Sequence, residues 1–161
     1  MLDAPPRPDY AVVMAKRHPT PVRFDEAVAL RLAAFTAAHP GLSLSSAANL
    51  LIDEGLRAYE HPGITFRDGA TGRRAGLLGG ADVWEVVRAV RATRAHEPHL
   101  SEDDLLNLVC ENSGLSIRQI RTALHYWAAY PDGIEAEIAA ADEAETAAER
   151  AWQREQALFS R

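Results

Sequence analysis

The chain has 161 residues, enough for one ordinary domain or two small ones, and carries a net charge of -6 with a single cysteine, Cys110. One cysteine excludes an intramolecular disulfide framework and any CxxC metal or redox pair, which makes a reducing, cytoplasmic and nucleoid-associated setting the expectation. Neither a leader pattern at the start nor a run of about 18 apolar residues is present, so no membrane association is expected.

The acidity is uneven. Residues 1–60 hold 6 basic and 7 acidic groups, residues 61–131 hold 8 of each, and residues 132–161 hold 3 and 8. The first two thirds are therefore near neutral, and 16 of the 17 cations are arginine, the side chain whose fork matches phosphates and guanine edges.

Residues 1–16 contain Pro5, Pro6 and Pro8 without apolar period and read as a flexible arm. In residues 17–24, Thr20, Val22 and Phe24 alternate with Pro21 and Arg23, as a half-buried strand requires. Asp25 is placed to cap a helix burying Val28, Leu32 and Phe35, which ends at His39-Pro40-Gly41. Ser43 or Ser45 caps a second helix reaching about Tyr59, with Leu51, Ile52, Leu56 and Tyr59 apolar. One strand and two helices cannot close a core, because a lone strand leaves both edges unpaired; the unit is expected to form a homodimer.

The segments TPVRFDEAVALRLAAF and PGLSLSSAANLLIDEGLRAY resemble the ribbon-helix-helix family of CopG and Arc type over residues 17–60. That resemblance implies a two-chain ribbon entering the major groove, with the second helix directing its N-terminus at a phosphate. Arg17, Thr20, Arg23, Ser43 and Ser45 are the DNA-binding residues it points to. Pro19 and Pro21 depart from the family strand, but share a parity that puts their missing N–H groups on one edge.

His61-Pro62-Gly63 marks a boundary, and ITFRDGATGRRAGLL reads as a β-hairpin turning at Asp68-Gly69, with Arg73 and Arg74 at its tip. Three helices follow, each opened by a capping box: Asp82 with Glu85, Ser101 with Asp104, and Ser116 with Gln119. Their apolar positions are Val83, Val86, Val87 and Val90, then Leu105, Leu108 and Val109, then Ile117, Ile120, Leu124 and Trp127. Asn112-Ser113-Gly114-Leu115 supplies the short glycine turn of a helix-turn-helix. The opposite face of the last helix carries Arg118, Arg121, Thr122 and His125, which with Ser116 and Gln119 form a candidate DNA-reading set beside a wing of Arg73 and Arg74. A solvated helix face and an ordinary basic turn is the plainer alternative.

HPGI, GRRA, DVWEVV and LSIRQIRTALHYWAAYPDGIEAEI resemble the winged-helix domain-of-unknown-function family four-three-three of VapB-type bacterial antitoxins. The resemblance implies winged helix-turn-helix DNA binding over residues 61–131 and pairing with a toxin protein. The sequence departs at AGLLGGA, where the family has a glycine and a short basic, threonine-containing turn.

Residues 132–161 read as an acidic helical tail opened by Asp132 with Glu135. Ile138, Trp152, Leu158 and Phe159 are its candidate partner-binding residues, docking on the chain's own core, the dimer mate or a basic toxin. His96 and His99 lack a completing ligand set, Cys110 reads as a packing residue, and the glycine-rich run at 68–80 has no GK[ST] ending. The expectation is a mainly α protein, with a short N-terminal ribbon strand and a β-hairpin. It is a non-enzyme without cofactor or metal that binds double-stranded DNA as a repressor or antitoxin, or alternatively a dimeric protein-interaction module.

Overall fold

In a computed structural model, the described residues are 21–69 and 72–159; the expected arm, Arg17 and Thr20 lie outside them. The protein is mainly helical with one small antiparallel hairpin, in the order α1 (Glu26–Ala38), α2 (Leu44–Glu60), β1 (Ile64–Gly69), β2 (Gly72–Leu77), α3 (Val83–His96), α4 (Glu102–Ser113), α5 (Ile117–Ala129) and α6 (Pro131–Phe159). Both strands sit mid-chain, and residues 21–25 carry no strand. The expected N-terminal ribbon strand is therefore not seen in its described part, Pro21 to Phe24.

Two compact units divide the chain, residues 1–47 and 48–161. The division falls inside α2 rather than at His61-Pro62-Gly63, because the second half of α2 is bound to the later elements. Glu54 accepts two hydrogen bonds from Arg73, at 2.6 and 2.8 Å, and Glu60 accepts one from the Tyr130 hydroxyl at 2.7 Å. Arg57 stacks over the Tyr130 ring at 4.4 Å and donates to the Tyr126 hydroxyl at 3.5 Å.

In the first unit, α1 begins after Asp25, and Leu32 is buried, whereas Val28 is exposed and Phe35 half-buried. The helix stacks Phe35 against His39 at its end, with ring centroids 3.9 Å apart. Ser43 opens α2, its hydroxyl accepting from the Ser46 N–H at 3.1 Å.

The core lies in the second unit and joins Ile64, Leu77, Val83, Val87, Leu106, Val109, Ile120, Tyr126, Ile134 and Ile138. α3 is central and packs on α4, α5, α6 and β2. The hairpin pairs Ile64 with Leu77 through Gly69 with Gly72, so Arg67 faces Arg74 across the strands. Two cations opposite one another repel. Asp82 resolves this by taking Arg67 on one oxygen at 2.7 Å and Arg74 on the other at 3.5 Å. Glu85 in turn accepts from the Asp82 N–H at 2.8 Å and opens α3.

α6 begins on Pro131, which donates no N–H and suits the first helical position. The Glu135 carboxylate expected to cap it instead accepts from Arg91 and, at 2.8 Å, from the Trp127 indole N–H, and these two bonds hold it down to about 2. Arg88 reaches Glu145 in the same bidentate way.

Glu137 of α6 behaves oppositely. One of its carboxylate oxygens is buried without a hydrogen-bond partner, and burial, helped by the Asp82 charge, pushes the group up to about 7 from an ordinary 4.5. The folded protein thus holds a proton between pH 4.5 and 7 that the unfolded chain releases, so stability falls as pH rises through that window and is level above it. Glu137→Gln is expected to raise stability by about 1 to 2 kcal/mol at pH 8 and to leave it unchanged at pH 4, read as urea midpoints.

Candidate functional site

The described residues singled out in the sequence fall in both units. In the first unit, Arg23 is exposed beside half-buried Phe24, and Ser43 and Ser45 are exposed at the start of α2.

In the second unit the site is built around the start of α5. Ser113 ends α4, and Gly114 takes the left-handed conformation at φ 72°, which closes the last turn of α4 and allows a tight change of direction. Ser116 then accepts from the Gln119 N–H at 3.3 Å, while the Gln119 side chain accepts from the Ser116 N–H at 2.9 Å. This reciprocal cap commits the Ser116 hydroxyl and N–H and the Gln119 side-chain oxygen to the helix terminus itself. Beyond it, Arg118, Arg121 and His125 are exposed on successive turns, and half-buried Thr122 donates to the Arg118 carbonyl at 2.9 Å.

α5 is seated more deeply than its apolar period suggested. Ile120, Ala123 and Tyr126 are buried, whereas Ile117 is exposed. Tyr126 was not among the expected core positions; it is 2 % exposed because Arg57 gives its hydroxyl a partner. This seating aims the Arg118–Arg121–His125 edge away from α3.

Alongside Arg118 and Thr122 runs a groove of about 410 Å³ floored by Pro62, Gly63, Leu77 and Leu78. Gly63, at φ 103°, stands where a Cβ would lie 3.4 Å from the Thr122 methyl, and this lets the hairpin base approach α5. Leu78 projects into solvent, 74 % exposed.

The two expected wing cations do not stand free at a tip. Arg73 and Arg74 lie within β2, and the turn falls between Gly69 and Gly72. Arg73 is tied to Glu54 and, at 3.2 Å, to Asp68, while Arg74 faces Asp82. Strand geometry puts Arg73 on the face of Ala75 and Leu77 and Arg74 on the opposite face, and a carboxylate meets each. Both are engaged by carboxylates of the chain itself, and Glu54, a mid-helix acid with no local sequence signal, is the residue that engages Arg73. Glu54→Ala is expected to cost about 2 kcal/mol, below the usual loss for a broken buried pair because Asp68 and the Phe66 carbonyl still receive Arg73. A lowered urea midpoint at unchanged slope measures it.

Of the four tail residues, Ile138 is in the chain's own core, 9 % exposed, and so is not free for a partner. Trp152, Leu158 and Phe159 are exposed, on a stretch of α6 from Glu143 onward in which every described residue is exposed. Among the described residues, no helix is long and apolar enough to cross a membrane.

The architecture defines a mainly helical protein in which a small hairpin and an outward arginine edge share one unit. Comparison with family models, curated proteins and solved structures finds no match to this chain.

Proposed function

We propose that this chain is a homodimeric, sequence-specific DNA-binding regulator of the antitoxin or autorepressor type, pairing a ribbon-helix-helix module with a winged helix-turn-helix module. The observation that carries the reading is the outer edge of α5: a helix capped by its own Ser116–Gln119 pair, entered through a glycine turn from α4, presenting Arg118, Arg121 and His125. The capped end needs no further partner, and guanidinium forks on successive turns have the reach and donors for guanine edges in a major groove.

Dimerisation is supported by what one copy leaves uncovered. Val22 and Leu30 in the first unit are exposed, and on α2 Ile52, Leu56 and Tyr59 are 49, 57 and 85 % exposed at spacings of four and three residues. A row of large apolar side chains in water marks an association surface. A symmetric dimer then selects an operator with two half-sites at fixed spacing.

A second reading rests on a separate observation. Trp152, Leu158 and Phe159 stand uncovered on α6, so a protein partner such as a toxin is favoured there. Part of the tail's acidity is neutralised within the chain, while Asp132 and Glu143 are exposed. Glu135, Asp142 and Glu145 pair with Arg91 and Arg88, and the exposed end balances Glu149 and Glu155 with Arg150 and Arg154. The partner it suits presents an apolar groove.

The deciding experiment is a gel shift with salt titration on a duplex from the region upstream of the protein's own gene, alongside the mass in solution. Binding by a twofold assembly, weakened by Arg118→Ala, supports the reading; a monomer with no preference for that duplex ends it.

A further inference from the structure

The two arginines of the α5 edge stand in different electrostatic surroundings. Arg118 has no carboxylate within ion-pair distance among the described residues. Arg121, one turn on, lies 3.3 Å from Glu102 and 3.7 Å from Asp103, both in the first turn of α4. That turn holds a third acid, Asp104, which serves the helix cap instead. Its N–H donates to Ser101 Oγ at 3.2 Å and its carboxylate accepts from the Ser101 hydroxyl at 2.6 Å. The cap is therefore made without Glu102 and Asp103. Their side chains are 73 and 88 % exposed, and the positive end of the α4 dipole favours their charge.

We propose that Glu102 and Asp103 are specificity-determining residues of the DNA interface, holding Arg121 so that it serves a base edge while withholding it from phosphate. The inference rests on the nucleic-acid reading above. Non-specific binding consists almost wholly of cations displacing counterions from phosphates, and each such contact adds close to one to the salt slope. A phosphate nearing Arg121 meets two negative charges a few ångströms away, and the two repulsions offset the attraction of the one cation. A guanine edge is neutral overall and presents acceptors at O6 and N7. Arginine has five N–H donors in a rigid plane, so the edge turned to the carboxylates leaves donors for a base. The acids thus lower affinity for arbitrary DNA while leaving the base contact in place, and the ratio between the two widens.

The test compares the full-length protein with Glu102→Gln combined with Asp103→Asn, on a mixed-sequence 30-base-pair duplex and on the upstream duplex. These neutral, near-isosteric changes lie at exposed positions outside the cap, and Glu102→Gln alone serves as a milder second variant. The double substitution is expected to raise affinity for the mixed duplex about five- to tenfold at low salt, steepen its salt slope by about one, and change the upstream duplex less than twofold. In an Arg121→Ala background the same substitutions are expected to have no effect on the slope, a readout that altered folding alone does not give. An unchanged affinity and slope on the mixed duplex, with Arg118→Ala still weakening the upstream duplex, overturns this inference and leaves the interface reading intact. Indifference of the upstream duplex to Arg118→Ala overturns both.

Discussion

Replacing Ile52 and Leu56 with aspartate is expected to convert the proposed dimer into a monomer at micromolar concentration. These side chains and Tyr59 occupy one face of α2, at positions four and three residues apart, and a single copy leaves them about half or more in water. Covering such a row in a second copy stabilises the pair by roughly 25 cal/mol for each Å² of apolar surface removed from water. Two carboxylates set into that surface lose hydration with no counter-charge, so the pair of changes is expected to cost more than about 4 kcal/mol of association, a thousandfold or so in Kd. Light scattering reads the mass directly. The substituted side chains are exposed in the single chain, and the core around Leu77, Val87 and Tyr126 does not include them. Near-UV circular dichroism of the tryptophans is therefore expected to survive while operator affinity collapses. A wild-type mass of one chain, or a variant that keeps the double mass, contradicts the proposal.

The helices that were legible in the sequence are those whose ends are signalled locally. Asp82–Glu85, Ser101–Asp104 and Ser116–Gln119 each lie within four residues of one another, and α3, α4 and α5 begin where these pairs put them. The hairpin was legible for the same reason, since alternation and two glycines fix a register within fourteen residues. What escaped is what depends on distant partners. Leu106 and Tyr126 belong to the core although neither stood among the expected apolar positions, and Tyr126 is admitted only because Arg57, 69 residues away, satisfies its hydroxyl. Arg73 read as a free wing cation because Glu54 lies 19 residues before it, with nothing between to announce the pairing. The Asp132–Glu135 cap failed by the same route, as Glu135 is drawn off by Arg91, 44 residues earlier. Val28 is a different case. Its period marks it as a core residue, yet it is exposed in one copy. A sequence pattern records what is buried in the working assembly, and one copy of the chain is less than that under the dimeric reading.

The α5 edge was legible too, because the side chains that avoid the core are the complement of those that form it. Arg118 and Arg121 replaced together by alanine are expected to lower affinity for the upstream duplex about a hundredfold and to reduce the salt slope by no more than about one, the share of Arg118, since Glu102 and Asp103 withhold Arg121 from phosphate. The magnitude follows from two base or backbone interactions at roughly 1 to 3 kcal/mol each, with the lower end taken for Arg121, whose ion pairs with Glu102 and Asp103 must be shared with the base. Arg118 is therefore expected to carry the larger single effect. The substitutions leave the fold in place, because both side chains are exposed and the cap of α5 is made by Ser116 and Gln119. Arg73→Ala provides the contrast. It strands buried Glu54 and is expected to lower thermal stability, while the salt slope of whatever binding remains is unchanged, since its guanidinium is already engaged inside the protein. If the slope instead falls on Arg73→Ala and stays constant on removing Arg118 and Arg121, the DNA-reading surface lies on the hairpin, and the ion pairs of β2 must open for it to act.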